Sequence, residues 1–373
     1  MYFVKTEDLK AGQRLARPIY NHNGVLLFEQ GSKLTSQGLT SIANFGLIGM
    51  YILEPAEPIP PMTPEDVEFE RFQSVFVYQI ETELKRMIES KKINKLSYVV
   101  SGITKMYGHM EGKINFIQTP RSKEDYYYKH TLNVAILCTL ICYRMKLRLD
   151  ECEDIILAAL LHDIGKINWQ ITHEGKKAAD QETDERTEMR KAENFGFSLI
   201  EELFSTKPNV RRYCQQAYKM KDEFENGMPQ SITKPVEGSS ILLIANYYDS
   251  MTSVSFEEET QSEVYCVKRM MAHPEVFSPK ILRNLTDSIN VIVPGLSIEL
   301  NSGDKALVLT QNPDNILRPM VLLFRDNTIL DLGISENEDL EIVDIMKTLD
   351  NRCIIDTSTL QQMGFQADKD DKK

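Results

Sequence analysis

The run Ala158-Ala159-Leu160-Leu161-His162-Asp163-Ile164-Gly165-Lys166 delivers an imidazole and a carboxylate, side by side, to the end of an apolar segment. Burying both groups is costly unless each finds a partner. Neutral histidine and ionised aspartate are both good ligands for a divalent metal, so one reading is a metal site. The other is a hydrogen-bonded pair at a capped helix end. Gly165 reads as the helix stop. Lys166 would then sit at a helix C-terminus, favoured there by the dipole or free to meet a phosphate. His173, in a charged stretch, reads as a solvated surface group. The six cysteines are Cys138, Cys142, Cys152, Cys214, Cys266 and Cys353, none in a CxxC pair, and they read as core thiols of a reducing cytosol.

These residues need rigid elements behind them. Asp150 with Glu153 three positions on forms the pattern of a capping box for the helix carrying His162. His130 opens a helix over 131–145, and Ser240–Met251 is another apolar helix. Phe69, Phe72, Phe76, Ile80, Leu84, Met87 and Ile88 make one stripe at helical spacing, suited to a core or a dimer seam. The spacing predicts an α+β chain of several domains. Residues 1–53 form a small β-rich unit, with a short helix around 36–45, and 54–64 is a linker holding five prolines. Residues 65–292 are all-α, 293–365 form a small β-rich unit with strands at Leu296–Leu300, Ala306–Gln311, Pro319–Phe324 and Thr328–Leu332, and 366–373 is a solvated tail.

The 373 residues carry a net charge of −12, with 42% hydrophobic and 26% charged residues. That acidity argues against a nucleic acid polymer or an anionic membrane as the main partner. No apolar run reaches the length of a membrane span, and the first residues do not read as a signal peptide, which points to the cytoplasm.

Tyr126, Tyr128, His130, Asn133 and Val134, followed by Ala158–Ile167, Phe195-Gly196, Asn226-Gly227-Met228-Pro229, Ile244–Ser253 and Phe277-Ser278-Pro279, resemble the HD-GYP branch of the HD metal-dependent phosphohydrolase superfamily. The resemblance covers about 120–290 and implies an all-α HD-type domain. It also implies hydrolysis of cyclic di-GMP by a cluster of two or three iron or manganese ions.

By that resemblance the first metal would be held by His130, His162, Asp163 and the residue at 246. That residue is Asn246, a poor and uncharged ligand. The next histidine of the family falls at Ala192. Its adjacent pair falls near Lys219-Met220 or, with an insertion, near Gln215-Gln216. No histidine occurs between His173 and His273. The tyrosine of Gly-Tyr-Pro is Met228, and Glu257, Glu258 and Glu259 stand where a dinucleotide would want cations. Lys166 remains as a phosphate contact. A two- or three-metal cluster is therefore not expected, and at most one divalent metal, iron or manganese, is. His130 bonding to Asp163 without a metal, and Asp249 as a cap or packing residue, are the purely structural alternatives.

Three functions remain open on the sequence. One is a catalytically inactive HD-GYP-like module in bacterial signalling, acting as a homodimer or through a protein partner. Another is a phosphohydrolase with a mononuclear site. The last is a sensor that binds a cyclic dinucleotide without cleaving it.

Overall fold

The computed structural model describes residues 2–44, 49–53, 59, 62–116, 118, 121, 125–173, 185–253 and 260–345. Most of the proline-rich 54–64 stretch, Glu257–Glu259, Cys353 and the 366–373 tail lie outside the described residues. The fold is mostly helical, with small sheets toward both ends.

The described chain forms two compact units, Phe3–Asn290 and Val291 onward. The first unit begins with β1 (Tyr2–Lys5), β2 (Arg14–Leu15), β3 (Ile19–Tyr20), β4 (Leu26–Phe28), helix α1 (Ser36–Asn44) and β5 (Gly49–Leu53). The strands form a sheet ordered β1-β5-β2 and a β3-β4 pair, closed over Val4, Leu9, Leu15, Leu34, Ile42, Met50 and Ile52. Arg17 Nη1 lies 2.7 Å from Glu70 Oε1 and ties this module to the first long helix.

Helices follow: α2 (Pro64–Ser90), α3 (Leu96–Tyr107), α4 (Tyr126–Arg144), α5 (Leu149–Leu161), α6 (Ile164–His173), α7 (Glu185–Leu203), α8 (Pro208–Glu225), α9 (Glu237–Thr252), α10 (Glu263–Met271) and α11 (Pro279–Thr286). A reciprocal capping box starts α2: the Thr63 hydroxyl accepts from the Asp66 amide and an Asp66 oxygen accepts from the Thr63 amide. The aromatic stripe of α2 is core, with Phe69, Phe72, Phe76, Ile80, Leu84 and Met87 buried. Helices α4 and α9 are buried on every face. That is why their sequences show a continuous apolar run rather than a stripe.

Several expectations are corrected. Helix α4 starts at Tyr126, so His130 lies one turn inside it. The N-cap of α5 is Arg148 with no side-chain cap bond, so Asp150 and Glu153 form no capping box. Gly165 does not stop a helix. It lies in α6, where a Cβ would stand 2.0 Å from the Ala192 carbonyl oxygen of α7. Lys166 is therefore in the first turn of α6, at the unfavourable end of its dipole. His173 is half-buried, its ring stacked on Trp169 at 4.8 Å.

The second unit is an antiparallel sheet in the order β10-β6-β7-β8-β9. Its strands are β6 (Ser297–Leu300), β7 (Lys305–Thr310), β8 (Met320–Leu323), β9 (Ile329–Asp331) and β10 (Ile342–Ile345). Alternate residues such as Ile298, Leu300, Ala306, Val308, Val321 and Leu323 face its core. The edge strand β10 was not expected from the sequence.

Candidate metal centre

Four helices meet at the centre. Helix α4 brings His130, the α5–α6 junction brings His162 and Asp163, and α9 brings Asp249. From Ile155 to Leu161 the helix is buried, and it runs into a sharp junction at His162-Asp163, so the two adjacent side chains are fixed by packing on either side.

Each imidazole has its Nδ1 engaged. His130 Nδ1 is 2.6 Å from Asp249 Oδ2, and His162 Nδ1 is 2.7 Å from the Ala159 carbonyl oxygen. Both partners are acceptors, so both Nδ1 atoms carry the proton. In the neutral rings the two Nε2 atoms are then lone pairs. They face each other at 3.2 Å, and Asp163 Oδ2 lies 3.6 Å from each. Burial opposes protonation of both rings and pushes His162 down to about 4, so a proton between the rings is disfavoured near neutral pH.

Three buried lone-pair donors thus converge with nothing among them to donate. A divalent cation resolves the repulsion. Ligands at ~2.1 Å from a metal and about 90–110° apart stand roughly 3.0–3.4 Å from one another, close to the spacings here. Among the described residues His130, His162 and Asp163 are the one group of this kind whose ligand atoms all lie within 4.8 Å of one another.

The shell behind the donors is complete. Asp249 is fully buried, and its Oδ1 accepts from Arg121 Nη2 at 2.7 Å, Asn133 Nδ2 at 2.9 Å and Gln118 Nε2 at 3.0 Å. Burial works against its ionisation, but Arg121 and His130 outweigh burial and hold the carboxyl well below the usual range. Asp249 is therefore more than a cap or packing residue: it orients His130, as a carboxylate does behind an imidazole that is to hold a metal. His130 donates its Nδ1 hydrogen bond to Asp249, not to Asp163. The sequence hint was the i,i+3 spacing of Asn246 and Asp249, which puts both on one face of α9.

Asp163 Oδ1 faces the other way and holds Lys166 Nζ at 2.7 Å; Glu193 Oε1 of α7 is 3.4 Å from the same ammonium. Burial disfavours charge on Asp163 and Lys166, yet each overcomes it for the other. Burial pushes Glu193 up to about 7 despite Lys166. Asn246 is near but engaged elsewhere: its Oδ1 accepts from Lys221 Nζ at 3.0 Å and from Ser250 Oγ at 3.1 Å. Lys219, at the first position of the family's histidine pair, is 55% exposed and points toward Glu223. Ala192 and Met220 are buried, and Gln216 accepts from the Val236 amide, so neither alternative position for a histidine pair supplies a ligand.

The HD domain model matches residues 127–270, the stretch that carries His130, His162, Asp163 and Asp249. The chain is also 23% identical over 210 residues to a cyclic di-GMP phosphodiesterase of Pseudomonas aeruginosa. The match takes in 55% of this chain and 49% of that protein, so the chain spans about half the length of the curated relative it matches.

Proposed function

We propose that the protein is a signalling module of the HD phosphohydrolase kind. It holds one divalent cation, iron or manganese, at His130, His162 and Asp163, and it binds a phosphate-ester ligand such as a cyclic dinucleotide without efficient turnover. The observation that carries this is the convergence of two unprotonated Nε2 atoms and one carboxylate oxygen. Sequence features consistent with the HD-GYP branch, and the cyclic di-GMP phosphodiesterase relative, support the ligand class.

A cation there would polarise a phosphoryl oxygen and lower the pKa of a water. The residues do the rest. Asp249 fixes the His130 tautomer, Asp163 supplies the anionic ligand, and Lys166 lies on the Asp163 Oδ1 side, where it can meet a phosphate oxygen. Asn246 offers a neutral amide already bonded to an ammonium. A second cation would find Lys166 and Lys221 where it needs anions. With one cation, less charge opposes that building on a phosphodiester in its transition state.

Hydrolysis of cyclic di-GMP by the manganese- or iron-loaded protein is expected to be undetectable, while the ligand still binds. A second reading, a mononuclear phosphohydrolase, is favoured by the completeness of the shell around His130. Turnover that both His162→Ala and Asp163→Ala abolish in folded protein would establish it in place of the first.

A further inference from the structure

In the reading above Lys221 only occupies Asn246 and opposes a second cation, and its surroundings are unusual for an ammonium. It projects from α8 toward the centre and its side chain is 18% exposed. Its two hydrogen bonds go to neutral atoms, Asn246 Oδ1 at 3.0 Å and Ser250 Oγ at 3.0 Å. The nearest paired carboxylate, Glu225 Oε1, is 3.9 Å away and 47% exposed. An ammonium has three N–H donors, so one is left to point elsewhere. Burial disfavours its charge; Glu225 favours it most among its neighbours, and it also senses Lys166, Asp163 and Glu193.

The charge balance points the same way. Asp163 divides its oxygens, Oδ2 to the imidazoles and Oδ1 to Lys166. Once a divalent ion sits among His130, His162 and Asp163, that ion and two ammonium groups face Asp163, Glu193 and the half-exposed Glu225, three carboxylates against four positive charges. The excess is positive and largely removed from water, which is unfavourable without an anion.

We propose that Lys221, together with Lys166, forms the anion-binding half of this centre. Its ligand is a phosphate group whose oxygens are shared between the cation and the two ammonium groups. Lys221 thus does the electrostatic work a second metal would do. This rests on the one-cation reading.

The test is calorimetric titration of the full chain with inorganic phosphate and with cyclic di-GMP, in manganese-loaded and chelator-treated forms. Wild type is expected to bind phosphate, more tightly when loaded. Lys221→Met should weaken binding at least about tenfold, the loss of one hydrogen bond to a charged group, and Lys221→Arg should restore most of it. Manganese should bind Lys221→Met as well as wild type or better, since a like charge is gone. Thermal melts check the fold, and Lys221→Gln carries the same expectation should Lys221→Met not fold. Unchanged phosphate affinity in Lys221→Met or Lys221→Gln, or no phosphate binding by wild type in either form, overturns the proposal. Failure of wild type to take manganese instead overturns the one-cation reading, and the chelator-treated titration still decides whether Lys221 holds the anion.

Discussion

His130 is set by Asp249, and Asp249 by Arg121, Asn133 and Gln118. Replacing Asp249 with asparagine leaves the shape but lets an amide N–H face His130 Nδ1, which turns the ring's protonated nitrogen toward the cation. Manganese affinity should fall about 10–100-fold. Stability should fall by about 3–5 kcal/mol, because Arg121 loses its buried counter-ion. Titration calorimetry and thermal melts check both, and an unchanged manganese affinity would show that Asp249 does not orient the ligand.

Two titrating groups of the centre oppose each other in the metal-free protein. His162 is lowered from 6.5 to about 4 by burial. Below pH 6.5 the unfolded chain therefore takes up a proton that the folded chain refuses, and stability falls as pH drops toward 4. Glu193 is raised from 4.5 to about 7 by burial. Between those values the folded chain keeps a proton the unfolded chain has lost, and stability falls as pH rises. The two effects offset each other between pH 4.5 and 6.5. Glu193→Gln removes the second. Relative to wild type it should gain stability as pH rises from 4.5 to 7, by up to about 3 kcal/mol. Melting-temperature profiles that run parallel for the two proteins would contradict this assignment.

At the scale of elements, Gly165 joins the centre to its supports. A Cβ there would meet the Ala192 carbonyl oxygen at 2.0 Å, and one on Gly196 would meet the Gly165 amide nitrogen at 2.9 Å. Helices α6 and α7 therefore pack backbone to backbone, bringing Lys166 of one beside Glu193 of the other. Gly165→Ala should push them apart and cost about 1–3 kcal/mol or more, read as a lowered melting temperature. A melting temperature equal to wild type would mean that the close approach is not required.

The same glycine shows what the sequence could and could not say. Locally it is a helix breaker, and only the neighbouring helix makes it a helix residue. The apolar helices α4 and α9 and the second half of α5 were legible because burial on all faces leaves a continuous apolar run. Their ends were less so: Tyr126–Lys129 have no strong helical signature of their own, and Asp150 makes a cap pattern that the chain does not use. His130, His162 and Asp163 were legible as residue types. Glu193 and Lys221 were not, because a single carboxylate or ammonium on an otherwise polar helix resembles a solvated face. A hint for Lys221 was its register, four residues after the buried Ala217 and seven after the buried Cys214.

On the scale of the whole molecule, an HD domain occupies residues 127–270, with a β-rich module packed before it in the same compact unit and a separate antiparallel sheet after it. Among the described residues no helix is long and apolar enough to cross a membrane. The stripe of α2 is spent on the core, so it offers no dimer seam. What distinguishes the molecule is a candidate metal centre whose ligands His130, His162 and Asp163 are backed by Asp249 on one side and by the Lys166 ammonium on the other.

The central claim is that this centre takes one divalent cation. Its most direct test is manganese and iron stoichiometry of the full chain, measured together with the melting temperature in chelator and in added metal. The account predicts one ion per chain. At a free metal concentration 100 times Kd the stabilisation should be about 2.7 kcal/mol, and His162→Ala should lose both the ion and the shift. Two or more tightly held ions per chain, or no bound ion and no change in melting temperature with metal, would contradict it.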